Sequence, residues 1–237
     1  YPNECSFSNK RSIILSYAPK ADNTEQGLNR KIETLQNNVD SLLANPAYKQ
    51  KIKGINWDWE YSSNSPISYD LAYSTLKKVY DYAHSKGLIF GLTVQPGDAG
   101  LKNAGIDLTK VKDYSDFLMP MEYVQWWVKE GSSCKDTAIS ESECWAKRKE
   151  RLNRDLLKFQ AVRDSGVKVV VLSTIETTAT KPIERLSACR MYDVYKNVIA
   201  DNLADGFVVW NLKDLSADYI RVFGAIKEGN KNLDCKI

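Results

Sequence analysis

Short apolar runs alternate with amphipathic stretches along the whole chain, and that alternation restricts the fold more than any other feature. Ser12–Ala18 (SIILSYA) has the make-up of a buried strand. The stretch after it places Ile32, Leu35, Val39, Leu42 and Leu43 on one helical face. Lys53–Tyr61 is the second strand. A helix follows with Leu71, Leu76, Val79, Tyr80 and Ala83 turned inward, and it stops near Lys86-Gly87, a usual C-terminal signal. The third strand is expected over Leu88–Val94, closed by Pro96-Gly97, and the fourth over Asp116–Tyr123. A polar insertion carrying Cys134 and Cys144 leads into a charged helix from Ala146 to Ser165. Val167–Ser173 is the fifth strand, Ile183–Leu203 the next helix, Gly206–Asn211 the sixth strand and Ala217–Lys227 the last helix.

Six strand–helix units in sequence imply parallel strands joined by helical crossovers, because tight turns cannot join parallel neighbours. Two α/β architectures meet that requirement. A doubly wound open sheet usually carries a glycine-rich phosphate loop after its first strand. Here Pro19, Lys20 and Ala21 stand there instead. That favours a β/α barrel of the TIM type, formed as one domain over residues 1–237. A length of 237 residues is close to the ~250 of such barrels.

The charges, 33 basic against 30 acidic, are interspersed and give a net +3, which argues against nucleic acid or a membrane surface as partner. No run approaches the ~18 apolar residues of a membrane span. The chain has no CxxC motif and no His–Cys cluster, and its single histidine, His84, lies near a helix end, so no metal is expected. Five cysteines (Cys5, Cys134, Cys144, Cys189 and Cys235) leave one without a partner in this chain. Cys134 and Cys144 could pair. Disulfides would place the protein in a secreted or lumenal compartment, and a start at Tyr1 would fit a processed chain.

The segment richest in chemistry is Lys53-Gly-Ile-Asn-Trp-Asp-Trp-Glu-Tyr61. Side chains alternate along a strand, so Asn56, Asp58 and Glu60 share one face and Ile55, Trp57 and Trp59 the other. The apolar face belongs against helices, which sends the polar trio to the barrel interior. Burying two carboxyl groups costs several kcal/mol unless they are paired or neutralised. The bland alternative is an exposed edge strand with a solvated acidic face. Two like charges two residues apart push one pKa up, so one carboxyl can keep its proton near neutral pH. Glu60 lies nearer the strand's C-terminal end, where barrel active sites sit, and is the natural general acid. Asp58 beneath it would hold or share the proton.

At these residues the chain resembles glycoside hydrolase family 18, the chitinase-like barrels. The family signature D-x-x-D-x-D-x-E stands here as K-G-I-N-W-D-W-E, matched at Asp58 and Glu60 and departing at Lys53 and Asn56. Asp116–Val124 is similar to a second family segment, with Met121 and Tyr123 matching and Val124 in place of an Asp or Asn that contacts the substrate N-acetyl group. Gly206-Phe-Val-Val-Trp210 looks like the segment whose Trp floors the sugar site, and Gly87–Val94 and Ile13–Tyr17 resemble two further strands.

The resemblance implies a retaining, substrate-assisted cleavage of β-1,4-linked N-acetylglucosamine polymers, one of the exceptions to a carboxylate nucleophile, with no need of a metal or an organic cofactor. In it Glu60 protonates the leaving oxygen, Asp58 orients the acetamide, Tyr123 donates to the acetamide oxygen and Trp210 packs under the ring. Asn56 and Met121 would line the site, and Trp126 and Trp127 would stack on sugar or simply pack. A family barrel has eight strands, so the six units here match its last six. A separate N-terminal fragment could supply the other two. Outside these motifs, Glu122 faces away from Tyr123 and reads as structural. Glu176, Asn211, Asp214, Tyr17 and Gln95 lie at strand ends, where sugar contact competes with ordinary packing. A catalytically weak sugar-binding protein, or a structural protein that reuses the barrel, is the alternative function.

Overall fold

The computed structural model describes residues 12–18, 22–123, 140–174, 187–210 and 217–227. The chain divides into two compact units. One runs to Leu118 and takes in Ser165–Val167; the other holds Met119–Asp164 and the chain from Lys168 onward.

The first unit contains β1 (Ile13–Tyr17), α1 (Glu25–Ala44), α2 (Pro46–Lys49), β2 (Ile52–Asp58), α3 (Tyr69–Ser85), β3 (Ile89–Val94), α4 (Asp98–Asn103), a 3-10 turn at Val111–Asp113 and the start of β4 (Phe117–Pro120). β1, β2 and β3 pair in parallel, with Ser16 opposite Asn56 and Asp58 opposite Thr93. Thr24 caps α1 by accepting from the Gly27 N–H, and Ser68 caps α3 by accepting from Leu71. Such caps satisfy amides that a helix start leaves open. Leu28, Ile32, Leu35 and Val39 of α1, and Ala72, Leu76, Val79 and Ala83 of α3, are buried. Leu42, Leu43, Leu71 and Tyr80, expected on the same inward faces, are only half-buried. α3 ends before Gly87, whose φ of 70° suits glycine.

The second unit contains the end of β4, α5 (Glu141–Leu157), α6 (Gln160–Asp164), β5 (Lys168–Thr174), α7 (Ala188–Ala200), β6 (Gly206–Trp210) and α8 (Ala217–Lys227). β5 and β6 pair in parallel with Leu172 opposite Val208, and Met121 bridges to Leu172 in the same sense. Strand order follows chain order from β1 to β6 without reversal. A doubly wound sheet reverses at a switch point, whereas a β/α barrel adds its strands in sequence.

Several boundaries differ from the sequence expectation. β2 ends at Asp58 rather than Tyr61, and β4 at Pro120 rather than Tyr123. The charged helix starts earlier, at Glu141, because Ser140 and Glu143 form a reciprocal capping box, and it breaks after Leu157 into α5 and α6. α4 was not expected; its six residues are too few to show a helical period. α7 begins behind the Ser187 cap, and the earlier start expected at Ile183 lies outside the described residues.

Candidate active site

The acidic face of β2 is set by what holds its other face. Trp57 and Trp59 are 0% and 1% exposed, with ring centroids 5.3 Å apart at 80°. The Trp59 indole N–H donates to the Ala104 carbonyl at 2.8 Å, and the Trp59 amide donates to the Thr93 carbonyl at 2.8 Å. Tyr61 then donates to the Asp22 carbonyl at 3.0 Å. These aromatic anchors fix the direction of the strand end, and alternation turns Asn56, Asp58 and Glu60 the other way.

Along that face the side chains pass from buried to exposed. Asn56 is buried and its amide donates to Thr93 Oγ1 at 2.9 Å and Ser16 Oγ at 3.3 Å. Asp58 is half-buried, and its Oδ1 has no hydrogen-bond partner among the described residues. Burial first, and the negative charge of Glu60 second, push its carboxyl up to about 6. Glu60 is exposed, and its Oε1 accepts from Gln95 Nε2 at 3.3 Å. The raised carboxyl is therefore the deeper one, because desolvation outweighs charge repulsion. A half-buried carboxyl that keeps its proton up to about pH 6 beside an exposed, hydrogen-bonded one is an arrangement suited to moving a proton.

Thr93 and Gln95 contact this face through Asn56 and Glu60, although no local sequence pattern marks Thr93 and only a strand-end position marks Gln95. The signal lies in the register: Asp58 pairs with Thr93, so the positions two further on are Glu60 and Gln95. Only knowledge of the pairing makes that spacing visible.

The remaining candidates belong to the second unit. Met121 is buried and Tyr123 half-buried. Trp210 ends β6 opposite Thr174. Trp126, Trp127, Val124, Glu176, Asn211 and Asp214 lie outside the described residues. Glu122 is fully buried, its amide donates to the Leu172 carbonyl at 2.8 Å, and neither carboxyl oxygen has a hydrogen-bond partner among the described residues. Burial holds its pKa well above the usual carboxylate range. His84, in the last turn of α3, lies 2.9 Å from Asp116 Oδ2 at the surface.

No protein-family model and no curated protein sequence matches the chain. Solved structures do. A Group IV chitinase from Ostrinia furnacalis in complex with allosamidin is 11% identical with a TM-score of 0.60, over 93% of this chain and 80% of that one. A glycoside hydrolase family 18 N-acetylglucosaminidase from Paenibacillus barengoltzii is 14% identical with a TM-score of 0.57, over 89% and 81%. The spore cortex-lytic enzyme SleL of Bacillus megaterium QM B1551 is 12% identical with a TM-score of 0.54; 90% of this chain spans 59% of that one. At such identities the likeness is one of fold. The chain thus shares the fold of chitinases and of a family 18 glycoside hydrolase, the group its acidic strand resembles.

Proposed function

We propose that the protein is a glycosidase that cleaves β-1,4-linked N-acetylglucosamine polymers with retention and substrate assistance. The observation that carries this reading is the pair at the end of β2: a half-buried Asp58 raised to about 6 beneath an exposed Glu60 held by Gln95. Glu60 reaches solvent, as a group that protonates a leaving oxygen must. Asp58 keeps a proton up to about pH 6 and can orient an acetamide through it. Tyr123 and Trp210 keep the acetamide-binding and ring-stacking roles that the sequence resemblance implies.

The reading extends to a secreted or lumenal site of action, with Cys144 and Cys189 as half-cystines. A larger mass gain on alkylation after reduction than on alkylation without it, both under denaturing conditions, tests that part. It also includes a separate N-terminal fragment that supplies two further strand–helix units.

One observation favours a second reading, a sugar-binding protein without turnover. Asn56 stands where the family motif has an acid, and its amide is committed to Thr93 and Ser16. An amide cannot take up a proton passed down from Asp58. The same experiment decides. The protein is incubated with chromogenic N,N'-diacetylchitobioside and the longer chitotrioside beside Glu60→Gln. Turnover that falls by about 10²–10⁴-fold in the variant is the expected result. Binding of either sugar without turnover by the wild type selects the second reading.

A further inference from the structure

Two shallow cavities, about 350 and 310 Å³, open on the first unit away from Asp58 and Glu60. They share Tyr69 and Asp107 and so form one cleft between the start of α3 and the segment after α4. Tyr69 and Tyr73 are one turn apart on α3, on the same face, and are 51% and 39% exposed. The Tyr73 ring stands edge-on against the buried Tyr114 ring, 5.7 Å away at 88°. It is therefore braced and not free to fold onto the surface. Gly105 forms part of the wall with φ +62°, where an added Cβ would come within 2.8 Å of the Ser68 carbonyl oxygen. Glycine lets the chain pass that close under the start of α3.

The lining chemistry restricts the ligand. Asp70, Asp98 and Asp107 line the cleft together with Lys102 and Lys110, so donors and acceptors of both signs are present and nearly balanced. Neither a phosphate nor a polycation is favoured by that set. Partly exposed aromatic faces ringed by polar groups suit a neutral, polyhydroxylated ring. Openness to solvent suits a chain of such rings more than a single small molecule.

The cleft is tied to the acid pair. Gln95 donates to Glu60, and it packs on α4 so closely that a Cβ at Gly100 would meet the Gln95 Cβ at 2.6 Å. Asp98, Leu101 and Lys102 of the same helix line the cleft. The Trp59 indole holds the Ala104 carbonyl just beyond α4.

We propose that the Tyr69–Tyr73 cleft is a saccharide-binding platform, joined to the acid pair through Gln95 and α4, that holds a neutral β-linked amino-sugar chain beyond the point of cleavage. The ligand class rests on the glycosidase reading; the cleft does not. The test measures binding of the full chain, carrying Glu60→Gln to stop turnover, to insoluble chitin and to soluble chitohexaose. Tyr69→Ala with Tyr73→Ala weakens both by about tenfold or more, while Tyr69→Phe with Tyr73→Phe, which keeps the rings, stays within about threefold. With Glu60 intact, the Ala pair lowers turnover of chitohexaose more than that of the short diacetylchitobioside, which does not reach the cleft. Unchanged binding by the folded Ala pair, or no binding by the parent chain, overturns the proposal. Hydrolysis by wild type with no effect of the Ala pair on binding removes the platform and leaves the glycosidase. Binding that depends on the two tyrosines without any hydrolysis removes the glycosidase and leaves the platform.

Discussion

At the scale of single residues, Asp58 carries opposed demands. Its carboxyl is raised from the ordinary 3.8 to about 6, burial being the larger cause. The folded state thus binds that proton more tightly than the unfolded state does. Below the unfolded value Asp58 costs nothing; the cost grows as pH rises through the window between the two values and is complete above about 6. Asp58→Asn keeps the shape and removes the charge. It should stabilise the protein at pH 7 by on the order of 1–2 kcal/mol, discounted from the full linkage figure because solvent reaches part of the group. The gain should vanish below about pH 4, and turnover should be lost at every pH. Urea titrations of both forms at pH 4 and 7 measure it. An equal stability difference at the two pH values would mean that Asp58 is not held neutral by its surroundings.

At the scale of elements, the apolar periods revealed what packing enforces and little else. All six strands were readable as apolar runs, but burial did not follow for each: β1, expected to be a buried strand, has no buried residue, with Ile14 41% exposed, and in β6 Val208 is 42% exposed. The last helix, α8, has the bounds its period implied, Ala217–Lys227. The face of β2 was readable because two tryptophans cannot share a face with two carboxyls. The ends were less legible. β2 stops at Asp58 because beyond it the chain is held by indole and phenol hydrogen bonds to Ala104 and Asp22, and no local pattern encodes those. Gln95 was ambiguous for the same reason: its role comes from register, which is a property of two strands. Close approach between elements was equally hidden. Gly91 in β3 sits so near β4 that an added Cβ would lie 2.1 Å from the Phe117 ring, which is itself buried. Gly91→Ala must displace that ring, and overpacking of this kind costs about 1–3 kcal/mol. A urea midpoint that falls with an unchanged m-value is the expected signature. A midpoint equal to wild type would show that Phe117 can move aside freely.

At the scale of the whole molecule, pH acts through carboxyl groups of opposite kinds. Asp22, Asp40, Asp107 and Glu143 are held below their usual values by hydrogen bonds from Thr24, Lys86, Thr109 and Ser140 respectively. Each favours folding above its unfolded value, but all lie at the surface, where solvent screens the gain. Asp58 and Glu122 work in the opposite sense and are the more deeply placed. For Glu122, burial is the main cause; Asp155 adds to the rise while Arg151 and Lys158 oppose it. Those two cations stand 3.5 and 3.4 Å from Asp155. Ser173, in the neighbouring strand, is buried too, and its hydroxyl has no hydrogen-bond partner among the described residues. Glu122 therefore folds in as the neutral acid. Folding stability should fall as pH rises above the glutamate's ordinary value, with Asp58 and Glu122 both contributing to the fall. Glu122→Gln keeps the side-chain shape and cannot ionise. Its melting temperature should fall less than that of wild type as pH rises from the ordinary glutamate value of 4.5 to about pH 8, whatever its absolute value at either end. Parallel profiles for the two proteins over that range would show that Glu122 meets its charge in the folded state without cost.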